Sequence, residues 1–289
     1  MNEAYFALGS IWLNSLKKVM DEKINTVYIA DVGLTKETRE YLSLSWDKIE
    51  FIDTTTHAVP YRIHDNDWKN AVSEKTRKLL KICNDTNYPI VMMDSDQYIE
   101  KDFSEEIYDN CDIQLCKVAD EDKPLNQDGY DLGHIGSWFV IHNDKGKAFL
   151  KKWIERMWII EGAHVETPAL QLTFTENIGN TKWRINHERV VSAPKHHEET
   201  KIIHFRSEGE QPVDLLRRIG NVENLPMPIL ESILNSIRVE GDSFKNTIPP
   251  TPHELIADHV AAQRAENKVE KDGKMVDRMK EEKTGIQIK

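Results

Sequence analysis

Cysteine is scarce in this 289-residue chain: Cys83, Cys111 and Cys116 are the only three. Their number is odd and they form no CxxC pair, which argues against a disulfide framework and against a cysteine-based structural zinc site. They are expected as small buried side chains. Long apolar runs are missing too, since no stretch approaches the roughly 20 uninterrupted apolar residues of a membrane span. The opening Met1-Asn-Glu-Ala-Tyr5 lacks the basic and apolar regions of a signal peptide, so a cytoplasmic protein is expected. Positive charge is outweighed: 38 Lys and Arg against 49 Asp and Glu give a formal charge of −11. That balance disfavours generic binding to nucleic acid or acidic membrane, both of which need a cationic face. There is no internal repeat.

What is present alternates. Residues 4–20 carry Leu8, Ile11, Trp12, Leu16 and Val19 at helical spacing. Thr26–Asp31 reads as a strand, Thr35 and Thr38 offer caps for a helix through Leu42, and Lys48–Asp53 reads as a second strand. A helix over 65–84 follows, with Trp68, Val72, Leu79, Leu80, Ile82 and Cys83 on its apolar side and Lys75, Arg77 and Lys78 among its bases. Strands are then predicted at Tyr88–Gln97, Asp112–Val118, His134–Ile141, Lys182–Asn186, Val190 and Lys201–Arg206. Asn143 and Asp144 cap a helix whose Phe149, Leu150, Trp153, Ile154, Met157 and Trp158 are spaced to pack one face. Another helix opens near Thr167 with Pro168 at the favoured first position, which places Glu166 just before an N-terminus that stabilises a carboxylate. Strands interleaved with helices imply an α/β layer with a mostly parallel sheet.

Helices are further expected around Val213–Ile219 and Pro228–Val239. The Ile248-Pro-Pro-Thr-Pro252 segment acts as a linker, and Thr251 with Glu254 makes a capping box for a charged helix to about Lys271. From Thr251 onward there are eight acidic and eight basic residues, so the whole net charge lies in residues 1–250. The expected organisation is a main domain over 1–210, a helical extension over 211–248, and a linker with charged tail over 249–289. The tail reads equally as an oligomerisation helix, a hook for a protein partner or a disordered segment, and its charge does not choose among them.

The chemistry concentrates at Val91-Met-Met-Asp-Ser-Asp96. An apolar run ending in two carboxylates one residue apart delivers both to one place, and hard oxygen ligands at the mouth of a buried strand suit Mg²⁺ or Mn²⁺. His204, at the end of a later apolar run, is the nitrogen that would complete such a site. The bases on the helix before Asp94 read as a solvated face or, more sharply, place Lys75 beside a diphosphate. Gly136 and Ser137, at the entry to a strand, let a ligand approach the backbone closely.

Taken in order, Tyr5 with Ala7-Leu-Gly9 and Asn14-Ser-Leu16, Val27–Arg39, Met93-Asp-Ser-Asp96, Gly136-Ser-Trp-Phe-Val140, Glu166-Thr-Pro-Ala-Leu-Gln171 and Ile203-His-Phe205 resemble the GT-A type glycosyltransferases. The match is nearest to the nucleotide-diphospho-sugar transferases of the glycogenin and bacterial galactosyltransferase kind, over roughly residues 4–210. The resemblance implies a single Rossmann-like domain and transfer of a sugar, most simply from a UDP-sugar, to an acceptor hydroxyl. It implies Asp94, Asp96 and His204 as ligands of Mn²⁺ or Mg²⁺ on the donor diphosphate. Lys75, Ser95 and Arg206 would lie near the donor, Gly136 and Ser137 would line the sugar and acceptor pocket, and Gln171 with Thr167 would flank Glu166, the catalytic acidic residue facing the transferred sugar. Glu166 would be the base that deprotonates the acceptor in an inverting enzyme, or a group that orients or stabilises the sugar in a retaining one. The family opens with a strand that grips the nucleotide base, and this chain begins where that strand should already have ended. Arg206 and Gly209 stand where the family usually has a glycine and a lysine after the late histidine.

Two other readings fit parts of the pattern. In a haloacid-dehalogenase-like phosphohydrolase Asp94 would be the nucleophile and Asp96 the acid/base, but that family wants Thr or Val where Tyr98 stands. In a non-catalytic nucleotide-sugar-binding or assembly subunit the tail would dock a partner.

Overall fold

The computed structural model describes residues 1, 5–54, 66–116, 138–160, 165–177, 180–186, 190–192, 195–205, 219, 222, 224–236, 268–271 and 274–277. The chain divides into two units, Met1–Ser236 and Ile237–Lys289.

In the first unit, helix α1 (Phe6–Met20) buries Leu8, Ile11, Trp12 and Leu16 as its spacing predicts, but its last turn buries Met20 and leaves the expected Val19 half-buried. Strand β1 (Val27–Asp31) alternates buried and half-buried residues. Thr35 then caps α2 (Lys36–Ser45), its hydroxyl oxygen accepting from the Thr38 N–H at 3.2 Å. The helix returns the chain to β2 (Ile49–Asp53), which pairs with β1 in parallel, Asp31 opposite Asp53. This is the crossover that parallel pairing requires.

After α3 (Asn66–Asp85) comes β3 (Ile90–Met92). The run from Tyr88 to Gln97 is not one strand. It breaks after Met92, bends through Asp94-Ser95-Asp96, and resumes as β4 (Gln97–Ile99) in a different sheet. The unit continues with β5 (Ile113–Cys116), β6 (Phe139–Ile141), α4 (Asp144–Met157), α5 (Glu166–Asn177), β7 (Trp183–Asn186), β8 (Val191–Ser192), β9 (Ile202–His204) and α6 (Met227–Ser236).

One sheet has the order β3-β6-β5-β7 and a second the order β4-β9-β8. The α/β class holds, but among the described residues the strands pair in a mixed way and not mostly in parallel. β6 runs antiparallel to both β3 and β5, β4 runs antiparallel to β9, and the parallel pairs are β1 with β2, β5 with β7 and β8 with β9. A strand buried on both faces shows a continuous apolar run whichever way it points, so its sequence carries no direction.

The core lies between the four-stranded sheet and helices α3, α4 and α5, where Ile113, Leu115, Phe139 and Ile141 meet Leu79, Phe149, Leu150, Trp153, Ala169 and Leu170. Helix α4 seats closely on the sheet. Asn143 caps it, its side-chain oxygen accepting from the N–H groups of Lys145 and Gly146, while its amide donates to Asp112 at 2.9 Å. Gly146 sits so near β5 that an added Cβ would lie 2.3 Å from the Asp112 carbonyl oxygen. The aromatic residues of α4 are core, as expected, with one exception. Trp158 lies past the last turn and is 68% exposed, with the Arg77 guanidinium 4.8 Å from its ring centre. All three cysteines are buried and free.

In the second unit, Lys268–Lys271 (β10) and Lys274–Asp277 (β11) form an antiparallel pair. The helix expected to reach Lys271 is therefore corrected at its end. Lys268-Val-Glu-Lys271 alternates polar and apolar residues and is followed by Asp272-Gly273, a two-residue hairpin signal that outweighs a capping box some fifteen residues upstream. A protein partner held through that helix has no support among the described residues. Val213–Arg218, Ile237–Val239 and the Thr251–Glu254 capping box lie outside the described residues. Among the described residues no helix is long and apolar enough to cross a membrane.

Candidate functional site

The two carboxylates converge through the bend between β3 and β4, not through the alternation of a continuous strand. Their third partner arrives by strand pairing. β9 runs antiparallel to β4 with His204 opposite Gln97, and the Phe205 N–H donates to the Asp96 carbonyl at 2.9 Å. His204 Nε2 thereby stands 3.3 Å from Asp96 Oδ1 and 3.8 Å from Asp94 Oδ2. One ligand atom from each of Asp94, Asp96 and His204 lies within 4.8 Å of the others, and this group could hold a metal ion.

Two further residues close the cluster from the helical layer. Lys75, on α3, reaches Asp94 Oδ1 at 2.6 Å and Glu166 Oε2 at 3.3 Å. The sequence left Lys75 open as a solvated lysine, but it bridges two carboxylates. Its neighbours Arg77 and Lys78 instead pair with the buried Glu74. Glu166 is the first residue of α5, one position earlier than expected, which moves Pro168 to the third position, where a missing N–H still costs no intrahelical bond. Its Oε1 accepts from the Thr76 hydroxyl at 2.8 Å, and its carbonyl accepts from Trp153 Nε1 at 2.9 Å.

The electrostatics follow from this crowding. Burial pushes the Glu166 pKa above its ordinary value; Lys75 pulls it down, the Asp94 charge adds to the rise, and the Thr76 hydrogen bond opposes it. Burial works against the Lys75 ammonium, but Asp94 and Glu166 outweigh it and hold its pKa above the usual lysine range. Lys75 is therefore a fixed positive charge. Two carboxylate oxygens with one imidazole nitrogen form a donor set that fits Mn²⁺ or Mg²⁺.

The remaining expected site residues fare differently. Ser95 sits in the bend between the two aspartates. Gln171 is five residues along α5 from Glu166, about 140° round the helix axis, and its Oε1 is buried without a hydrogen-bond partner. Gly136, Ser137 and Arg206 lie outside the described residues. Thr76 was missed by the sequence reading, although the signal was there. It shares the apolar stripe of α3 with Leu79 and Cys83, and a polar residue on such a stripe needs a partner.

No protein-family profile matches the chain, and no curated protein matches it. Solved structures do. An active-site mutant of LgtC aligns with a TM-score of 0.50 at 12% identity, over 79% of this chain and 96% of that one. The galactosyltransferase LgtC in complex with donor and acceptor sugar analogues aligns at 0.48 and 12% identity, over 80% and 98%. The bifunctional glycosyltransferase WbbM aligns at 0.48 and 14% identity, over 82% of this chain and 50% of its own. At these identities the likeness to the LgtC mutant concerns the fold, which is the GT-A type glycosyltransferase fold that the order of sequence landmarks implied.

Proposed function

We propose that the protein is a metal-dependent glycosyltransferase that moves a sugar from a nucleotide-diphosphate donor, a UDP-sugar by preference, to an acceptor hydroxyl. The observation that carries this reading is the meeting of Asp94, Asp96 and His204 at a strand end with Lys75 and Glu166 directly beside them. In this reading Asp94, Asp96 and His204 hold Mn²⁺ or Mg²⁺, which when bound supplies positive charge to the departing diphosphate.

The chain's own groups carry the rest. Lys75, permanently charged and preorganised between two carboxylates, favours the negative charge that develops on the leaving group more than the charge already present in the donor. Ser95 offers a hydroxyl beside the diphosphate. The acceptor oxygen bonds to the anomeric carbon as the bond from that carbon to the phosphate oxygen breaks, and the electron pair leaves with the diphosphate. Glu166 takes the acceptor's proton. A carboxylate whose pKa is raised by burial is a stronger base than an exposed one, which suits that task.

The test is a screen of nucleotide sugars for nucleotide release, run with Mn²⁺ and with EDTA, on the wild type and on Asp96→Ala. The expected result is release with one donor class, lost in EDTA and lost in the variant while the far-UV spectrum is retained. Undiminished turnover by Asp96→Ala refutes the metal site, and metal-dependent release of phosphate from a simple aryl phosphate refutes the transferase.

A further inference from the structure

Thr76 is wholly buried in the middle of α3, between Lys75 and Arg77. A helical threonine commonly turns its hydroxyl back on the carbonyl one turn earlier. This one instead donates to Glu166 Oε1 at 2.8 Å, across 90 residues of chain. A hydroxyl has one proton to give, and here it goes to the carboxylate oxygen of Glu166. Lys75 approaches the other oxygen at 3.3 Å and lies closer to Asp94, at 2.6 Å. Successive helical residues point about 100° apart, so the two donors reach the carboxylate from different directions, each on its own oxygen.

The two contacts do different work. The lysine is a point charge on a flexible four-carbon stem, shared with Asp94, and it neutralises Glu166 without fixing its orientation. Threonine is stiff about its first side-chain torsion, so its hydroxyl is a fixed donor. The Glu166 backbone is separately pinned by the buried Trp153 indole. We propose that Thr76 is the positioning residue for Glu166, holding its carboxylate in the orientation from which it takes the acceptor's proton; this rests on the sugar-transfer reading of the site.

The experiment compares Thr76→Val, which keeps shape and removes the donor, with Thr76→Ser, which keeps the donor. The expected result is a fall in kcat of roughly 10- to 100-fold for Thr76→Val, the scale of one hydrogen bond to a charged group. Donor KM and nucleotide affinity should stay within about twofold, because the lost contact serves the reaction and not donor binding. Thr76→Ser should regain most of the rate. In crystals, the Glu166 carboxylate should be turned away from its wild-type position in Thr76→Val and restored in Thr76→Ser. An unmoved carboxylate overturns the proposal, as does a loss of nucleotide affinity matching the loss of rate, or failure of the serine variant to recover. A wild type that transfers no sugar defeats the transferase reading alone; the crystallographic comparison then still decides whether Thr76 holds Glu166.

Discussion

Lys75 holds apart charges that would otherwise repel, so its removal should expose that repulsion as lost stability. The perturbation is Lys75→Met, which keeps most of the aliphatic stem and deletes the charge. In the wild type the ammonium lies 2.6 Å from Asp94 and 3.3 Å from Glu166, with side-chain exposures of 23% for Lys75, 23% for Asp94 and 15% for Glu166. Breaking a fully buried pair costs about 3–5 kcal/mol, and an exposed one is worth less than about 1 kcal/mol. These exposures put Lys75 between the two, at about 2 kcal/mol, or roughly 4–8 °C in melting temperature for a unit of this size.

The pH dependence gives the sharper signature. Glu166 has a folded pKa raised above its unfolded value, so its contribution to stability is full below the ordinary glutamate value of about 4.3 and is lost as pH rises through the folded value. Lys75 is one of the groups pulling that pKa down, so its deletion pushes it higher. The deficit of Lys75→Met should therefore be largest near neutral pH and should shrink as the pH falls towards about 4.3. Mn²⁺ should also stabilise the variant more than the wild type, because it replaces the missing positive charge. The assay is urea unfolding of the full chain across that pH range. A variant as stable as wild type at neutral pH, or a deficit that does not change with pH, refutes the reasoning.

Two further outcomes are expected. Glu166→Gln keeps an acceptor for Thr76 but cannot take a proton, and sugar transfer should fall by about 10²- to 10⁴-fold while nucleotide binding changes little; equal losses in kinetics and in nucleotide titrations would instead mark Glu166 as a helix-start residue only. Gly146→Ala would push a methyl group to 2.3 Å from the Asp112 carbonyl and 3.1 Å from Ile113 and Ile141, and should destabilise the protein by about 1–3 kcal/mol. An unchanged denaturation midpoint would show that α4 is not packed on β5 that tightly.

Local features of this fold are legible in the sequence because they rest on local physics. Thr35 and Asn143 cap the helices they were expected to cap, since a cap needs only neighbours two and three residues on. The aspartates and the histidine stand out because charged or polar residues ending an apolar run have little reason to be there except chemistry. Strand direction is a different matter: β6 is apolar throughout, and only its tertiary partners decide which way it runs. The end of α4 was misjudged because helical spacing continues to Trp158 although the helix stops at Met157. Likewise the contact between Thr76 and Glu166 spans 90 residues and follows no spacing rule. Its trace is one hydroxyl on an otherwise apolar stripe.

The pairing of β4 with β9 sets how the site tolerates change along the chain. His204 meets the aspartates because it stands opposite Gln97 in a ladder, so its place depends on strand register and is indifferent to how many residues intervene. Chain inserted into an exposed loop between Ile99 and Ile202 should cost little, since loop closure grows only slowly with length. A single residue added or deleted within β4 or β9 would turn the imidazole to the opposite face of the sheet and dismantle the site while leaving every side chain of the triad in the sequence.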